Sequence, residues 1–178
     1  MISSSISILH ASAALVLLVA GCGAAKAAEQ AGAGVSGLPV PRFVSLKTDR
    51  VNVRAGPTKD HEVTFVFTRA GLPVEIIGEF ENWRRIRDWE GGEGWVYHSL
   101  LSGKRNVVVS SKSKSEHELI AVHESADAKS DVTARLQPGV LGQIKRCQAN
   151  FCRVMGLGFD GWVAQERLWG VYPNESVD

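Results

Sequence analysis

The sequence predicts an all-β protein built as two small β-barrel modules in tandem behind an N-terminal segment that stands outside the fold. Three observations carry this. From Phe43 onward the chain breaks into short β-rich runs, "RVNVR", "EVTFVF", "LPVEIIGEF", "WRRIRDW" and "GWVY", bounded by Gly, Pro, Asn and Asp. No stretch holds a helical apolar period over a dozen residues. The chain also repeats itself: residues 71–86, "GLPVEIIGEFENWRRI", align without gaps on residues 139–154, "GVLGQIKRCQANFCRV". Short strands at close spacing suit a small barrel.

Taken in order, the first element is an export signal. "AALVLLVA" (13–20) is an apolar run far shorter than the roughly 18 residues of a membrane span. Small residues follow it, and no Lys or Arg precedes it. Two processing schemes fit. Val19-Ala20-Gly21-Cys22 resembles the bacterial lipobox, which would make Cys22 an acylated N-terminus; Ala25-Lys26-Ala27 is an A-x-A site for ordinary cleavage. Residues 1–28 are therefore expected to be a signal peptide or lipoprotein signal. The chain is expected to be exported to the periplasm, with lipid anchoring to the outer membrane under the first scheme. Mass spectrometry of the mature protein is expected to show a diacylated or triacylated Cys22, or a chain starting at Ala28; a mature chain retaining Met1 would contradict both. The Ala/Gly-rich residues 29–42 read as a flexible tether.

Modules follow at 43–108 and 118–173, joined by the polar stretch "SSKSKSEHE" (110–118). In the alignment Ile76 falls on Ile144, Trp83 on Phe151, Arg85 on Arg153 and Ile86 on Val154. One residue of loop difference later, "GWVYHSLLSG" (94–103) falls on "GWVAQERLWG" (161–170). The repeat also disposes of a false lead. Gly156, Gly158 and Gly161 in "GLGFDG" have the G-x-G-x-x-G spacing of dinucleotide sites, but that fingerprint needs a strand before it and a helix after it. Here β-like runs lie on both sides, so the glycines are expected in a hairpin turn and no cofactor is implied.

The 178 residues carry 20 Lys+Arg against 19 Asp+Glu, a formal net charge of +1, which supplies no general field for nucleic acid or acidic lipid. Export also removes a nucleic-acid ligand, and membrane contact is expected only through the lipid anchor. With Cys22 set aside, Cys147 and Cys152 remain. An even count in an oxidising compartment suggests a disulfide. A C-x4-C pair could hold a metal only with two further ligands, and no His lies near in sequence, so none is expected.

"RVNVRAGP" (50–57), the central "WRRI" and the closing "GWV" together resemble the bacterial SH3-like domain, SH3b. The second module resembles the Cys-bearing SH3 module of exported proteobacterial proteins, with "ELIAVHESADA" in place of the V-N-V-R-x-G-P start. The resemblance covers about residues 43–173. It implies non-catalytic modules that bind peptidoglycan or peptides in the cell envelope.

The candidate chemistry agrees with that. Ser111-Lys112-Ser113-Lys114 fits S-x-x-K but lies in the polar connector without companion motifs. The five histidines show no paired spacing, and Asp88 and Glu90 read as solvated turn charges. Binding has more material: Phe80, Trp83, Trp89 and Trp95 lie within 16 residues, mixed with Arg84, Arg85 and Arg87. Aromatic rings give contact area at low entropy cost, and Arg binds carboxylates of the kind that peptidoglycan stem peptides carry. The expected ligand residues are Trp89, Arg87, Arg85 and Trp83, all in the first module, with the second as structural support. The expected partner is peptidoglycan or an envelope protein or peptide. The alternative is a periplasmic protein-interaction adaptor without cell-wall affinity.

Overall fold

The structure is a computed structural model that describes residues 32–111 and 118–177. The expected signal segment, Cys22 and both processing sites lie outside the described residues, as do residues 112–117 of the connector.

A short hairpin comes first, β1 (Gly32–Ala33) with β2 (Pro39–Val40). The first module holds β3 (Arg42–Leu46), β4 (Val51–Arg54), β5 (Val63–Phe67), β6 (Pro73–Phe80), β7 (Trp83–Arg87), β8 (Glu93–Tyr97), a single 3-10 turn (His98–Leu100) and β9 (Leu101–Ser102). The second holds β10 (Asn106–Val109), β11 (Ile120–His123), β12 (Val132–Leu136), β13 (Leu141–Gln148), β14 (Phe151–Gly156), β15 (Phe159–Ala164), a 3-10 turn (Gln165–Arg167) and β16 (Leu168–Trp169). The sheets run β5-β4-β8-β7-β6-β3-β9 and β12-β11-β15-β14-β13-β10-β16, so each strand has its counterpart in the same place. The strand pairs are antiparallel, and those joined by short connections, such as β6–β7 and β13–β14, are hairpins. Irregular pairing recurs at matched positions too, between Ile76 and Gly78 and between Ile144 and Arg146.

The repeat seen in the sequence is thus a structural repeat. Strand β11 forms opposite β12 and β15 although the V-N-V-R start is lost there, because Ile120 and Val122 keep the alternation that fills the core. The "GLGFDG" glycines belong to the β14–β15 hairpin: Gly158 takes φ +80° at its turn, and Gly161 lies in β15 against the backbone of β11.

Two expected boundaries change. The first module is expected to end at residue 108, yet residues 106–108 lie in β10, which pairs with β13 and β16 in the second sheet. Its alternation explains the unbroken apolar run. Val107 and Val109 point into the second core, and Val108 points into the first. The polar stretch that reads as a linker falls inside the second module, between β10 and β11. Likewise, the later part of the expected tether is folded. Ser36 donates from its amide and its hydroxyl to Glu79, both at 2.8 Å, and Arg42 donates to the same carboxylate at 2.7 Å.

Glu79 and Arg84 face each other across β6 and β7, with Arg84 Nε 3.1 Å from Glu79 Oε1. At the matched place in the second module Cys147 and Cys152 face each other across β13 and β14 and form a disulfide. One hairpin is clasped by an ion pair, the other by a covalent bond. A segment from beyond the hairpin reaches each clasp: Ser36 and Arg42 donate to Glu79, and the Cys147 amide donates to the Val177 carbonyl at 2.8 Å. The bridge closes a loop of about six residues, so replacing both cysteines by serine is expected to lower stability by roughly 2 kcal/mol while the fold survives. Urea denaturation of the double variant measures this, and an unchanged midpoint would contradict it.

Candidate functional site

The expected ligand residues occupy β7 and the turn after it. Trp83 opens β7, is 8% exposed, and meets the Tyr97 ring edge-on at 5.4 Å. It is therefore largely a packing residue. Arg85 and Arg87 alternate on the exposed side of β7, but both have partners. Arg85 Nη2 lies 2.8 Å from Glu93, and Arg87 donates through Nε (3.0 Å) and Nη2 (2.6 Å) to Glu75 Oε2. Arg84 is buried and donates to the Glu81 and Trp83 carbonyls. Trp89, 37% exposed, stands in the β7–β8 turn. That turn is organised by Asp88, which is buried rather than solvated: its Oδ1 accepts from the amides of Glu90 and Gly92 at 3.0 and 2.7 Å. Trp89 is thus presented on a firm turn, while the arginines near it are neutralised by carboxylates the spacing did not reveal.

The second module carries a cleft of about 590 Å³. It is lined by Phe151 at the start of β14, Ala164 at the end of β15, Gln165 in the 3-10 turn and the tail residues Val171, Pro173 and Asn174, together with Ala128 and Asn150. The lining is mainly apolar with a few amides, the usual make-up of a ligand site. The repeat shows how it arises. Ala164 stands where the first module has Tyr97, whose ring contacts both Trp83 (5.4 Å) and His98 (5.0 Å). A methyl group in place of that ring leaves Phe151 uncovered on the cleft side.

The tail wall is fixed by polar contacts. Buried Gln165 accepts from the Asn174 amide at 2.9 Å and donates to the Glu175 carbonyl at 2.7 Å. Glu175 accepts from Arg105 at 2.7 and 3.0 Å and from the Tyr172 amide at 2.8 Å. Burial pushes the Glu175 carboxyl up, but Arg105 and the Tyr172 amide outweigh it and hold it below the usual carboxylate range. Residue spacing gave no sign of this cleft; only comparison of Tyr97 with Ala164 in the aligned repeat hints at it.

Among the described residues, no group of three or more His, Cys, Asp or Glu side chains stands together as a metal site requires. No helix among them is long and apolar enough to cross a membrane.

Two seven-stranded modules of one strand order, each closed by a G-W-V strand and a 3-10 turn, define the small-β-barrel class to which SH3-like domains belong. The chain belongs to the bacterial SH3 domain family, whose model matches it twice, over residues 47–103 and 116–170. Among solved structures it is similar to NlpC2 from Trichomonas vaginalis, at 12% identity over 72% of this chain and 48% of that one, with a TM-score of 0.32. It is also similar to NlpC1 from the same organism, at 12% identity over 78% and 48%, with a TM-score of 0.33. The chain thus spans about half the length of these structures. No curated protein matches it.

Proposed function

We propose that this chain is a non-catalytic binding protein of the cell envelope, which holds a peptide of peptidoglycan or of an envelope protein in the cleft of its second module. The observation that carries the reading is the replacement of Tyr97 by Ala164 at matched positions, in a cleft lined by Phe151 and Ala164 together with the amide side chains of Asn150, Gln165 and Asn174. Membership of the bacterial SH3 family supports it, because modules of this kind serve envelope binding. The buried disulfide supports export, since such bonds persist in oxidising compartments. The proposed location is the periplasm, with Cys22 as the lipid attachment point under one of the two processing schemes.

The first-module residues make a weaker site. Arg85 and Arg87 are each already paired with a carboxylate, Glu93 and Glu75, so a ligand carboxylate there would share a guanidinium whose charge is partly offset.

Co-sedimentation with purified sacculi separates the readings. Wild type is expected to pellet with sacculi. Ala164→Trp, which refills the cleft, is expected to lose binding by at least about 2 kcal/mol, and Trp89→Ala to bind like wild type. Melting temperatures control for folding. Binding lost in Trp89→Ala and kept in Ala164→Trp would return the site to the first module. A wild-type protein that stays in solution would favour the adaptor role.

A further inference from the structure

We propose that the first module completes the cleft of the second, with Tyr172 and Glu75 as positioning residues for the cleft's tail wall. The wall consists of Val171, Pro173 and Asn174, and the residue between them points away from the cleft. Tyr172 donates its hydroxyl proton to Glu75 Oε1 of the first module at 2.9 Å. Its ring packs on Phe43 at 4.7 Å, and Phe43 meets Trp169 edge-on at 5.2 Å. Glu75 is held in turn: its other oxygen takes both contacts from Arg87, and its side chain is 5% exposed. Burial, and then the neighbouring Glu75, push the Tyr172 phenol up, so it stays protonated and remains a donor.

A second tie runs beside the first. Arg105, between β9 and β10, donates to the Gly170 carbonyl at 3.0 Å and to Glu175. Glu175 carries the Tyr172 amide, and its own carbonyl accepts from Gln165 of the 3-10 turn. The tail is thus fastened to the first module through Tyr172 and to the 3-10 turn through Asn174 and Glu175. Arg87, expected to touch ligand, acts here through Glu75.

The consequence for binding rests on the reading of this cleft as the ligand site; the fastening itself can be read without any ligand. The test uses the full mature chain with Tyr172→Phe, which removes one hydroxyl, Glu75→Ala, and Glu75→Gln, which can still bond to both Arg87 and Tyr172. Hydrogen exchange is followed at the Tyr172 and Asn174 amides of the tail, with the core amides of Val122 and Val154 as reference. Tyr172→Phe and Glu75→Ala are expected to speed exchange at the tail amides roughly five- to tenfold, with the core amides unchanged and Glu75→Gln close to wild type. Tail exchange at the wild-type rate in both variants would overturn the proposal. So would equal acceleration of tail and core, which marks general destabilisation. Sacculus retention is measured on the same samples. Loosened tails with reduced retention support the proposal and its consequence together. Loosened tails alongside an Ala164→Trp protein that still binds would uphold the positioning role and sink the cleft as ligand site.

Discussion

Replacing Glu79 by alanine is expected to destabilise the protein by about 3 kcal/mol, a large effect for one exposed-sounding residue in a polar hairpin. The carboxylate is 1% exposed and lies within reach of two guanidinium groups, Arg42 at 2.7 Å and Arg84 at 3.1 Å, whose own side chains are 17% and 11% exposed. Removing it leaves two largely buried cations without their carboxylate and frees the Ser36 segment. Acid titration of stability gives an independent check. Burial alone would raise this carboxyl, but the Ser36 amide, Arg42, the Ser36 hydroxyl and the Arg84 charge outweigh burial and hold it at about 2. A carboxyl depressed in the folded state stabilises the protein above its unfolded value, near 4.5, and that contribution fades as pH falls toward 2. Wild type is therefore expected to lose on the order of 3 kcal/mol between about pH 5 and pH 2 through this group, and Glu79→Gln to show a flatter acid limb. Identical acid limbs in urea melts would contradict the account of this clasp.

The second large effect is expected at the glycine of each "GWV". A Cβ at Gly161 would stand 2.5 Å from a Val122 methyl and 2.8 Å from the His123 carbonyl oxygen. A Cβ at Gly94 would stand 2.4 Å from a Val53 methyl and 2.9 Å from the Arg54 carbonyl oxygen. Side chains can shift a little, but a strand carbonyl cannot yield without disturbing the pairing of β4 with β8 or of β11 with β15. Gly161→Ala and Gly94→Ala are each expected to cost about 2 to 3 kcal/mol. Gly103→Ala, with nothing within 4 Å of its added methyl, is the control and should be close to neutral. Equal melting of all three variants would show that the strands are not packed as closely as described.

These two sites show which features were legible in the sequence. Strands follow from alternation and turn residues, both local, and the repeat then fixes register by comparison. Hence the aligned repeat by itself matches Cys147 and Cys152 to Glu79 and Arg84. What those matched residues do to one another was less legible. Nothing local marks Glu79 as buried, because it is residues 34–42 that fold over it, and Arg87 reads as a ligand contact until Glu75 is found opposite it on β6. The cleft was hidden for the same reason. It depends on an absence, a methyl at residue 164, and on a tail whose contacts reach back from Glu175 to Arg105 and from Tyr172 to Glu75, 70 and 97 residues away. The boundary at β10 misled because a strand buried on both faces next to a polar stretch looks like the end of a domain.

Ligand is proposed to meet the second module at the cleft between Phe151, Ala164 and the tail. The decisive measurement is nuclear magnetic resonance of the mature chain titrated with stem peptides released from sacculi. Amide shifts centred on Phe151, Ala164, Gln165 and Asn174 are predicted. Shifts confined to Trp89 and its neighbours in the first module, or none at saturating peptide, would contradict it.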